Sequence, residues 1–333
     1  MPLTDENLID VPGMASRWVR LADGSRAHYM TSGDTGPAVV LLHGGLPGSS
    51  GLAGWRFMAP YLAEQGFRVY CPDMPAFGLS DVRKEYWPKG MESFVDFIGQ
   101  FVDALCLDRF HLAGNSMGCM NSVNYMLSRP DRVISFALIA GDVGDVVPED
   151  IAPPKGQFHM TAYDGTREGM RSMMEAIIHR KTAVSADLVE MRYLSASERL
   201  EAHAQFWPTL LQYRHIVPWS DQNRAARLAT KGRLDRIDIP GIYLYGRQDI
   251  LTPVEWGYLQ EDHLPNVQFF YPDDCGHQGQ TDRPDIFNPI FAEFFSTGTV
   301  SGGLADAAGV STRRPELPLV KRAQPRPASE ELL

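Results

Sequence analysis

The sequence has few cysteines, and none at the spacings that cysteines adopt around a metal or in a redox pair. The four that it has, Cys71, Cys106, Cys119 and Cys275, lie far apart and form no C-x-x-C pair. This pattern argues against a zinc ribbon, a redox dithiol and a disulfide framework. Because the sequence shows no other cluster of ligand residues, we expect neither a metal nor a cofactor.

Long apolar runs and an excess of positive charge are also missing. No run of 18 apolar residues is present, so no membrane span is predicted. The first residues are acidic and lack the features of a signal peptide, which favours a cytoplasmic location. Lys and Arg number 31 against 41 Asp and Glu, a net charge of −10, and such a balance repels phosphate backbones. We therefore expect no nucleic-acid partner, whereas a homo-oligomer stays open.

The order of apolar patterns predicts an α/β fold with a doubly wound, mostly parallel sheet. The run Ala38 to His43 is typical of a strand buried on both faces, and amphipathic stretches such as Trp55 to Gln65 have helical length. Strand-like sequence is missing between about residues 143 and 233. We predict a core of residues 1–142 and 234–297, an inserted helical lid at 143–233, and a mobile or arm-like tail at 298–333.

The sharpest chemical signal is a G-x-S-x-G pattern at Gly114 to Gly118, between a predicted strand and a predicted helix. A nucleophile on a sharp strand-to-helix turn needs small residues two positions to either side, since a Cβ atom there would collide with the backbone. Ser116 would then present its hydroxyl near a helix N-terminus, which favours developing negative charge. The pattern thus predicts Ser116 as a nucleophile.

A serine hydroxyl needs a base, and the base needs an acid that orients it. His277 follows the last predicted core strand, in a loop that can reach across the top of the sheet. Asp249 follows the preceding strand and gives the chain order Ser, Asp, His. The alternative acids are Asp142, which follows the strand ISFALIA, and the pair Asp273 and Asp274. We favour Asp249 for its place in the chain order.

A glycine-rich segment, His43 to Gly48, follows the first buried strand. Glycines there let backbone N–H groups approach the oxyanion that forms when a serine attacks a carbonyl. The expected donors are the N–H groups of Gly45 and Met117. A plain strand-to-helix turn and a phosphate-binding loop are the other interpretations, but no G-K-[ST] follows and the G-x-G-x-x-G spacing is absent.

With these residues in this order, the chain resembles the α/β-hydrolase superfamily over roughly residues 18–297. The combination of HGGLPGSS, GNSMG, PDRV, GRQD and CGH looks most like that of the meta-cleavage product hydrolases. Those enzymes cleave a carbon–carbon bond in vinylogous 1,5-diketones that arise when catechol rings are opened. The serine at the elbow differs from the aspartate of haloalkane dehalogenases and epoxide hydrolases.

The resemblance also implies substrate-binding residues. The family places an asparagine before the nucleophile, here Asn115, and a carboxylate-binding arginine on a lid helix, here Arg192. Gly44 and Gln278 complete the implied set. Two positions depart from the family: Cys119 stands where a second glycine follows the elbow, and Gln278 stands where a tryptophan follows the histidine.

The expected activity is cofactor-independent hydrolysis of a small carbonyl substrate, with C–C cleavage of a meta-cleavage product in aromatic compound degradation as the first hypothesis. The histidine would activate the serine or first help to convert a dienol to its ketone, and a carboxylate on the substrate is one option. The lid residues Met173, Met174, Phe206 and Trp207 suggest an apolar pocket or simple core. An ester or lactone hydrolase with the same triad and a small-molecule receptor are the alternatives.

Overall fold

A central sheet organises the protein, whose structure is a computed structural model that describes residues 4–81, 83–144, 146–147, 163–197, 199–202, 204, 222–313 and 320–321. The strands of this sheet are β1 (Ala15–Arg20), β2 (Arg26–Ser32), β3 (Ala38–Leu42), β4 (Arg68–Pro72), β5 (Phe110–Asn115), β6 (Val133–Ile139), β7 (Gly241–Leu244) and β8 (Val267–Phe270). Their order is β1-β2-β4-β3-β5-β6-β7-β8. The pairs β1–β2 and β2–β4 are antiparallel, and the other neighbouring pairs are parallel. The predicted α/β class and mostly parallel sheet are confirmed.

Helices lie on both faces of this sheet. The described ones are α1 (Gly51–Trp55), α2 (Met58–Glu64), α3 (Glu92–Ala104), α4 (Met117–Ser128), α5 (Arg167–Ile177), α6 (Ala186–Ser197), α7 (Gln222–Leu228), α8 (Val254–His263), α9 (Gly279–Asp282), α10 (Pro284–Thr297) and α11 (Gly302–Ala307). Residues of α2 and α10 pack in the apolar cluster on one face, and residues of α3 and α4 pack in the cluster on the other. Within the described ranges, no helix is long and apolar enough to cross a membrane.

The side chains of β3 show why its sequence is apolar throughout. Val39 and Leu41 belong to one core cluster, whereas Ala38, Val40 and Leu42 belong to the other. Successive side chains of a strand point to opposite faces, so a strand covered on both sides needs apolar residues at every position.

The helical stretch predicted from Trp55 to Gln65 is wrong at its start, because the chain breaks between α1 and α2 at Arg56 and Phe57. Ser50 starts α1 earlier, since its hydroxyl accepts a hydrogen bond from the Ala53 amide at 3.1 Å. In one continuous helix, the N–H group of residue 60 would donate to the carbonyl of residue 56. Residue 60 is Pro60, which has no N–H group.

The described part of the predicted lid consists of helices on which methionines face inward. Met170, Met173, Met174 and Ile177 of α5 are at most 1 % exposed and belong to the main apolar cluster. They therefore pack as core. Phe206 and Trp207 lie outside the described residues.

The C-terminal segment after α10 is packed where it is described, although the sequence suggests a mobile or arm-like tail there. Val300, Ala305 and Ala308 are fully buried. The Ser311 amide donates to the carbonyl of Phe269, and the Tyr271 amide donates to the carbonyl of residue 309, both at 2.8 Å. Residues 309–311 thus run along the outer edge of β8.

Leu138 lies in the central strand β6 and is fully buried. We predict that Leu138→Ala lowers the free energy of unfolding by about 2–5 kcal/mol, because it removes buried methyl groups and leaves a cavity. The matched control is Leu200→Ala, at a leucine that is 46 % exposed, which should cost less than about 0.5 kcal/mol. Urea unfolding measures both changes. Equal losses of unfolding free energy in the two variants would contradict the burial of Leu138.

Candidate active site

Ser116 lies at a sharp turn between β5 and α4, with φ 56° and ψ −119°. A positive φ is uncommon outside glycine and needs support from the surroundings. A Cβ atom on Gly114 would stand 2.2 Å from the Gly118 carbonyl oxygen, and one on Gly118 would stand 2.3 Å from the Leu42 carbonyl oxygen. The Ser116 amide donates to the Ile139 carbonyl of β6 at 2.9 Å. The turn is therefore fixed on both sides, and only glycine fits the two flanking positions.

His277 and Asp249 form a buried pair. The distance from His277 Nδ1 to Asp249 Oδ2 is 2.8 Å, and both side chains are at most 1 % exposed. The amides of Leu251 and Thr252 donate to Asp249 Oδ1 at 2.8 and 3.0 Å, and the Thr252 hydroxyl donates to Oδ2 at 2.7 Å. A carboxylate held in this way accepts from Nδ1–H and leaves Nε2 to take up a proton. Within the described residues, Nε2 has no hydrogen-bond partner.

The alternative acids lie in other surroundings. Asp273 accepts a hydrogen bond from a glutamine amide at 2.6 Å, and Asp274 pairs with an arginine at 2.6 Å. Asp142 is buried after the end of β6. Of the candidates, Asp249 is the one that the structure places against His277.

The glycine loop after β3 is shaped by His43, whose role the motif did not reveal. His43 Nε2 accepts a hydrogen bond from the Met74 amide at 3.0 Å, so Nδ1 carries the proton and donates to the Gly44 carbonyl at 2.7 Å. The C=O and N–H groups of a trans peptide point in opposite directions, so this bond turns the Gly45 N–H away from His43. Burial lowers the pKa of His43 to about 4, which keeps the ring neutral at pH 7.

The glycine loop packs directly on the serine turn. A Cβ atom on Gly44 would stand 3.2 Å from Ser116 Cβ, and one on Gly45 would stand 3.2 Å from Met117 Cβ. The two expected oxyanion donors, the amides of Gly45 and Met117, thus belong to closely packed residues, and Met117 is the first residue of α4. The N-terminus of a helix carries free N–H groups and partial positive charge.

Asn115, which the resemblance implies as a substrate contact, uses its amide inside the protein. It is 2 % exposed. Its Nδ2 donates to the Ile139 carbonyl at 3.0 Å and to the His277 carbonyl at 3.2 Å. Asn115 therefore joins the serine turn to the loop of residues 271–278 that carries His277, the histidine loop.

The histidine loop is also joined to the end of α5 and the residues after it, in part through Asp282, which no sequence motif selects. The His277 amide donates to the Ile177 carbonyl at the end of α5, at 2.9 Å. Asp282, 2 % exposed, accepts from the amide of Gly276 at 2.7 Å and from those of residues 179–180 at 3.1 and 2.7 Å. These contacts connect parts of the chain about a hundred residues apart, which local sequence patterns do not show.

Arg192 lies on α6, and its side chain is buried, with 1 % of its surface exposed. Nη1 donates to the Ser49 hydroxyl at 3.1 Å, whereas Nε and Nη2 have no partner among the described residues. The backbone of Arg192 presses on the glycine loop, since a Cβ atom on Gly48 would stand 2.1 Å from its carbonyl oxygen. Gln278, next to the histidine, is 4 % exposed and its Oε1 has no described partner.

No group of three or more His, Cys, Asp or Glu side chains in the described ranges could hold a metal ion.

Comparison with known proteins identifies the fold family: a family model described as the alpha/beta hydrolase fold matches residues 37–284. That span contains the serine turn, the acid and the histidine in the order found here.

Individual relatives show which proteins of this fold family the chain is similar to. A 2-hydroxy-6-oxononadienedioate/2-hydroxy-6-oxononatrienedioate hydrolase from Paraburkholderia phymatum is 28 % identical over 84 % of this chain and 95 % of its own length. A 2-hydroxy-6-oxo-6-phenylhexa-2,4-dienoate hydrolase from Burkholderia cepacia is 27 % identical over 82 % of this chain and 92 % of its own length. The solved structure of a meta-cleavage product hydrolase variant from Pseudomonas fluorescens has a TM-score of 0.69 at 24 % identity, over 85 % of this chain and 98 % of its own. The resemblance seen in the sequence motifs is confirmed.

Asp282 offers a test of the link between the segment after α5 and the histidine loop. We predict that Asp282→Ala slows fluorophosphonate labelling of Ser116 by about 10- to 100-fold, because small displacements of a base have effects of this size. The control is Asp285→Ala, which removes an exposed carboxylate three residues further on and should leave labelling unchanged. Asp282→Asn keeps one acceptor oxygen and should be intermediate. Labelling at the native rate in folded Asp282→Ala would contradict this role.

Two buried histidines predict a pH dependence of stability. Burial lowers the pKa of His43 and of His111 to about 4 in the folded protein, against about 6.5 in an unfolded chain. Between these values the unfolded state binds more protons, so the free energy of unfolding falls as the pH decreases from 6.5 to 4, by roughly 3 kcal/mol per histidine. Urea unfolding at several pH values measures the loss, and His111→Gln should remove part of it. A flat profile over this range would contradict the prediction.

Proposed function

Since this chain belongs to the α/β-hydrolase fold family, we propose that it is a serine hydrolase that cleaves a carbon–carbon bond in a meta-cleavage product, a small vinylogous 1,5-diketone with a carboxylate. Relatives at 28 and 27 % identity are named for such substrates. The observation that carries the proposal is the buried guanidinium of Arg192 beside the glycine loop. A buried charge with free N–H groups needs an anion, and a simple neutral ester does not supply one.

Ser116 is the proposed nucleophile, and His277 is its base. As Ser116 Oγ attacks the carbonyl carbon, His277 Nε2 accepts the hydroxyl proton. Asp249 Oδ2 lies 2.8 Å from His277 Nδ1 and accepts its hydrogen bond. The carboxylate thereby stabilises the imidazolium that forms. The N–H groups of Gly45 and Met117 then bind the oxyanion, and in comparable sites one such donor contributes about 3–4 kcal/mol.

Cleavage of a C–C bond sets a requirement that ester cleavage does not. The electron pair of the broken bond must pass into an unsaturated ketone, so the dienol first becomes its keto tautomer by moving a proton from oxygen to carbon. We assign that transfer to His277. Collapse of the tetrahedral intermediate then leaves an acyl group on Ser116 and releases a dienolate, which takes up a proton. Water, deprotonated by His277, hydrolyses the acyl ester and restores the serine.

The remaining residues are proposed to position the reaction. Arg192 binds the substrate carboxylate, and Gly44 and Gln278 line the same region. Asn115 fixes the serine turn against the histidine loop through its bonds to the Ile139 and His277 carbonyls. We also propose that residues 143–233 act as a lid over the site, because α5 and α6 contact the histidine loop and the glycine loop.

The function is tested by comparing turnover of 2-hydroxy-6-oxo-6-phenylhexa-2,4-dienoate with that of 4-nitrophenyl butyrate. We predict that kcat/KM for the dienoate exceeds that for the ester by at least about a hundredfold, and that Ser116→Ala lowers kcat by at least about a thousandfold. Loss of the yellow dienolate absorbance follows the first reaction, and release of nitrophenolate follows the second. Faster turnover of the ester would identify an ester hydrolase. Ligand binding without turnover of either compound would identify a receptor.

A further inference from the structure

A second arginine, Arg56, is buried beside the region that holds Arg192. It follows α1 and is 6 % exposed. Its Nη1 donates to the Ala53 carbonyl at 2.9 Å and to the Thr281 hydroxyl of α9 at 3.4 Å. Its Nη2 has no partner among the described residues. The guanidinium lies over the Phe57 ring, 4.2 Å from its centroid, and the described hydrogen bonds use Nη1 but not Nη2.

The two arginines stand at the junction of the same elements. Arg192 bonds to Ser49, just before α1, and Arg56 lies just after α1. Thr281, which contacts Arg56, is four residues beyond the histidine His277. The pair thus contacts the segment just after the glycine loop through Ser49 and helix α9, next to His277, through Thr281.

The described part of the protein leaves several donors of this pair without a hydrogen bond, and it places only the charge of Asp187 against that of Arg56. Three nitrogens, Arg56 Nη2 and Arg192 Nε and Nη2, are buried without a hydrogen-bond partner there. Burial, and then the charge of Arg56, lowers the pKa of Arg192 to about 9, and burial lowers the pKa of Arg56 to about 10 despite the opposing charge of Asp187. Two neighbouring buried cations destabilise a folded protein unless an anion joins them.

We propose that Arg56 is a second carboxylate-binding residue, which together with Arg192 forms a two-arginine site for the 2-hydroxy or 2-oxo carboxylate end of the substrate. The inference rests on the proposed function for the identity of the ligand, but the anion site itself does not require turnover. Guanidinium groups suit this task because their planar N–H groups pair with both carboxylate oxygens. The family resemblance assigns one arginine to the carboxylate and a tryptophan after the histidine. Here Gln278 replaces the tryptophan, and Arg56 supplies a further donor.

The site also predicts a substrate preference. A carboxylate next to a 2-hydroxy group that becomes an enolate carries two neighbouring negative charges during the reaction. Two arginines balance such a dianion better than one does, so they stabilise the developing enolate as well as the bound acid. A substrate whose carboxylate is esterified lacks the first of these charges and should bind poorly.

The test measures binding in a Ser116→Ala background, where the ligand is not consumed. The probes are 4-phenyl-2-oxobutanoate and its neutral methyl ester, and calorimetry gives the dissociation constants. We expect Arg56→Gln to weaken binding of the acid by about 10- to 100-fold, the range for loss of one charge-assisted pair, and to leave ester binding unchanged. Arg192→Gln should act in the same way, and Arg56→Lys should restore part of the affinity. Arg20→Gln, at an exposed arginine on β1, is the control for a general loss of charge.

The outcomes separate this inference from the proposed function. Native affinity for the acid in Arg56→Gln, with Arg192→Gln impaired, would overturn the role of Arg56. Equal weakening of acid and ester would show that Arg56 only supports the fold, and would also overturn it. Selective loss of acid binding would support the site even if the wild-type protein failed to cleave the dienoate. If Arg56→Gln does not fold, the dissociation constants of the acid and the ester are compared between Arg56→Lys and the protein with Arg56. Weaker binding of the acid alone would support the site. Equal changes for acid and ester would indicate a structural role and overturn it.

Discussion

The close approach of helix α4 to the ends of β3 and β5 is the constraint on which the candidate site depends. No side chain fits at Gly114 or Gly118, where an added Cβ atom would stand within 2.3 Å of a backbone oxygen. At this contact Ser116 has a positive φ, and the first residue of α4 packs on the glycine loop. The proposed nucleophile and the proposed oxyanion donors therefore meet at one packing contact between backbones, and the side chains around them add orientation.

The sequence predicted those parts of the site whose geometry is local. Gly114 and Gly118 flank Ser116 within five residues, and the order of Asp249 and His277 follows from the order of the strands. Asp282 and Arg56 could not be found in this way, because their importance comes from burial against distant segments. The one visible signal for Arg56 was a charged residue in the apolar stretch GLAGWRFMA. Pro60 could have predicted the helix break beside it, since it lacks the required N–H.

Helix α5 and the histidine loop share hydrogen bonds. The Ile177 carbonyl accepts from the amide of His277, and Asp282 accepts from amides of both the segment after α5 and the histidine loop. A displacement of α5 would therefore move the imidazole with it. In this arrangement, the position of α5 and the position of the His277 side chain depend on each other.

The C-terminal segment has a consequence for how copies of this chain could associate. Residues 309–311 already occupy the hydrogen-bonding groups of Phe269 and Tyr271 on the outer side of β8. A second sheet cannot extend the first one at that side unless this segment is displaced. The opposite border of the sheet is β1, where Trp18 is 36 % exposed and Arg17 and Arg20 are exposed, so pairing of two copies through β1 would bring their arginines to the same edge.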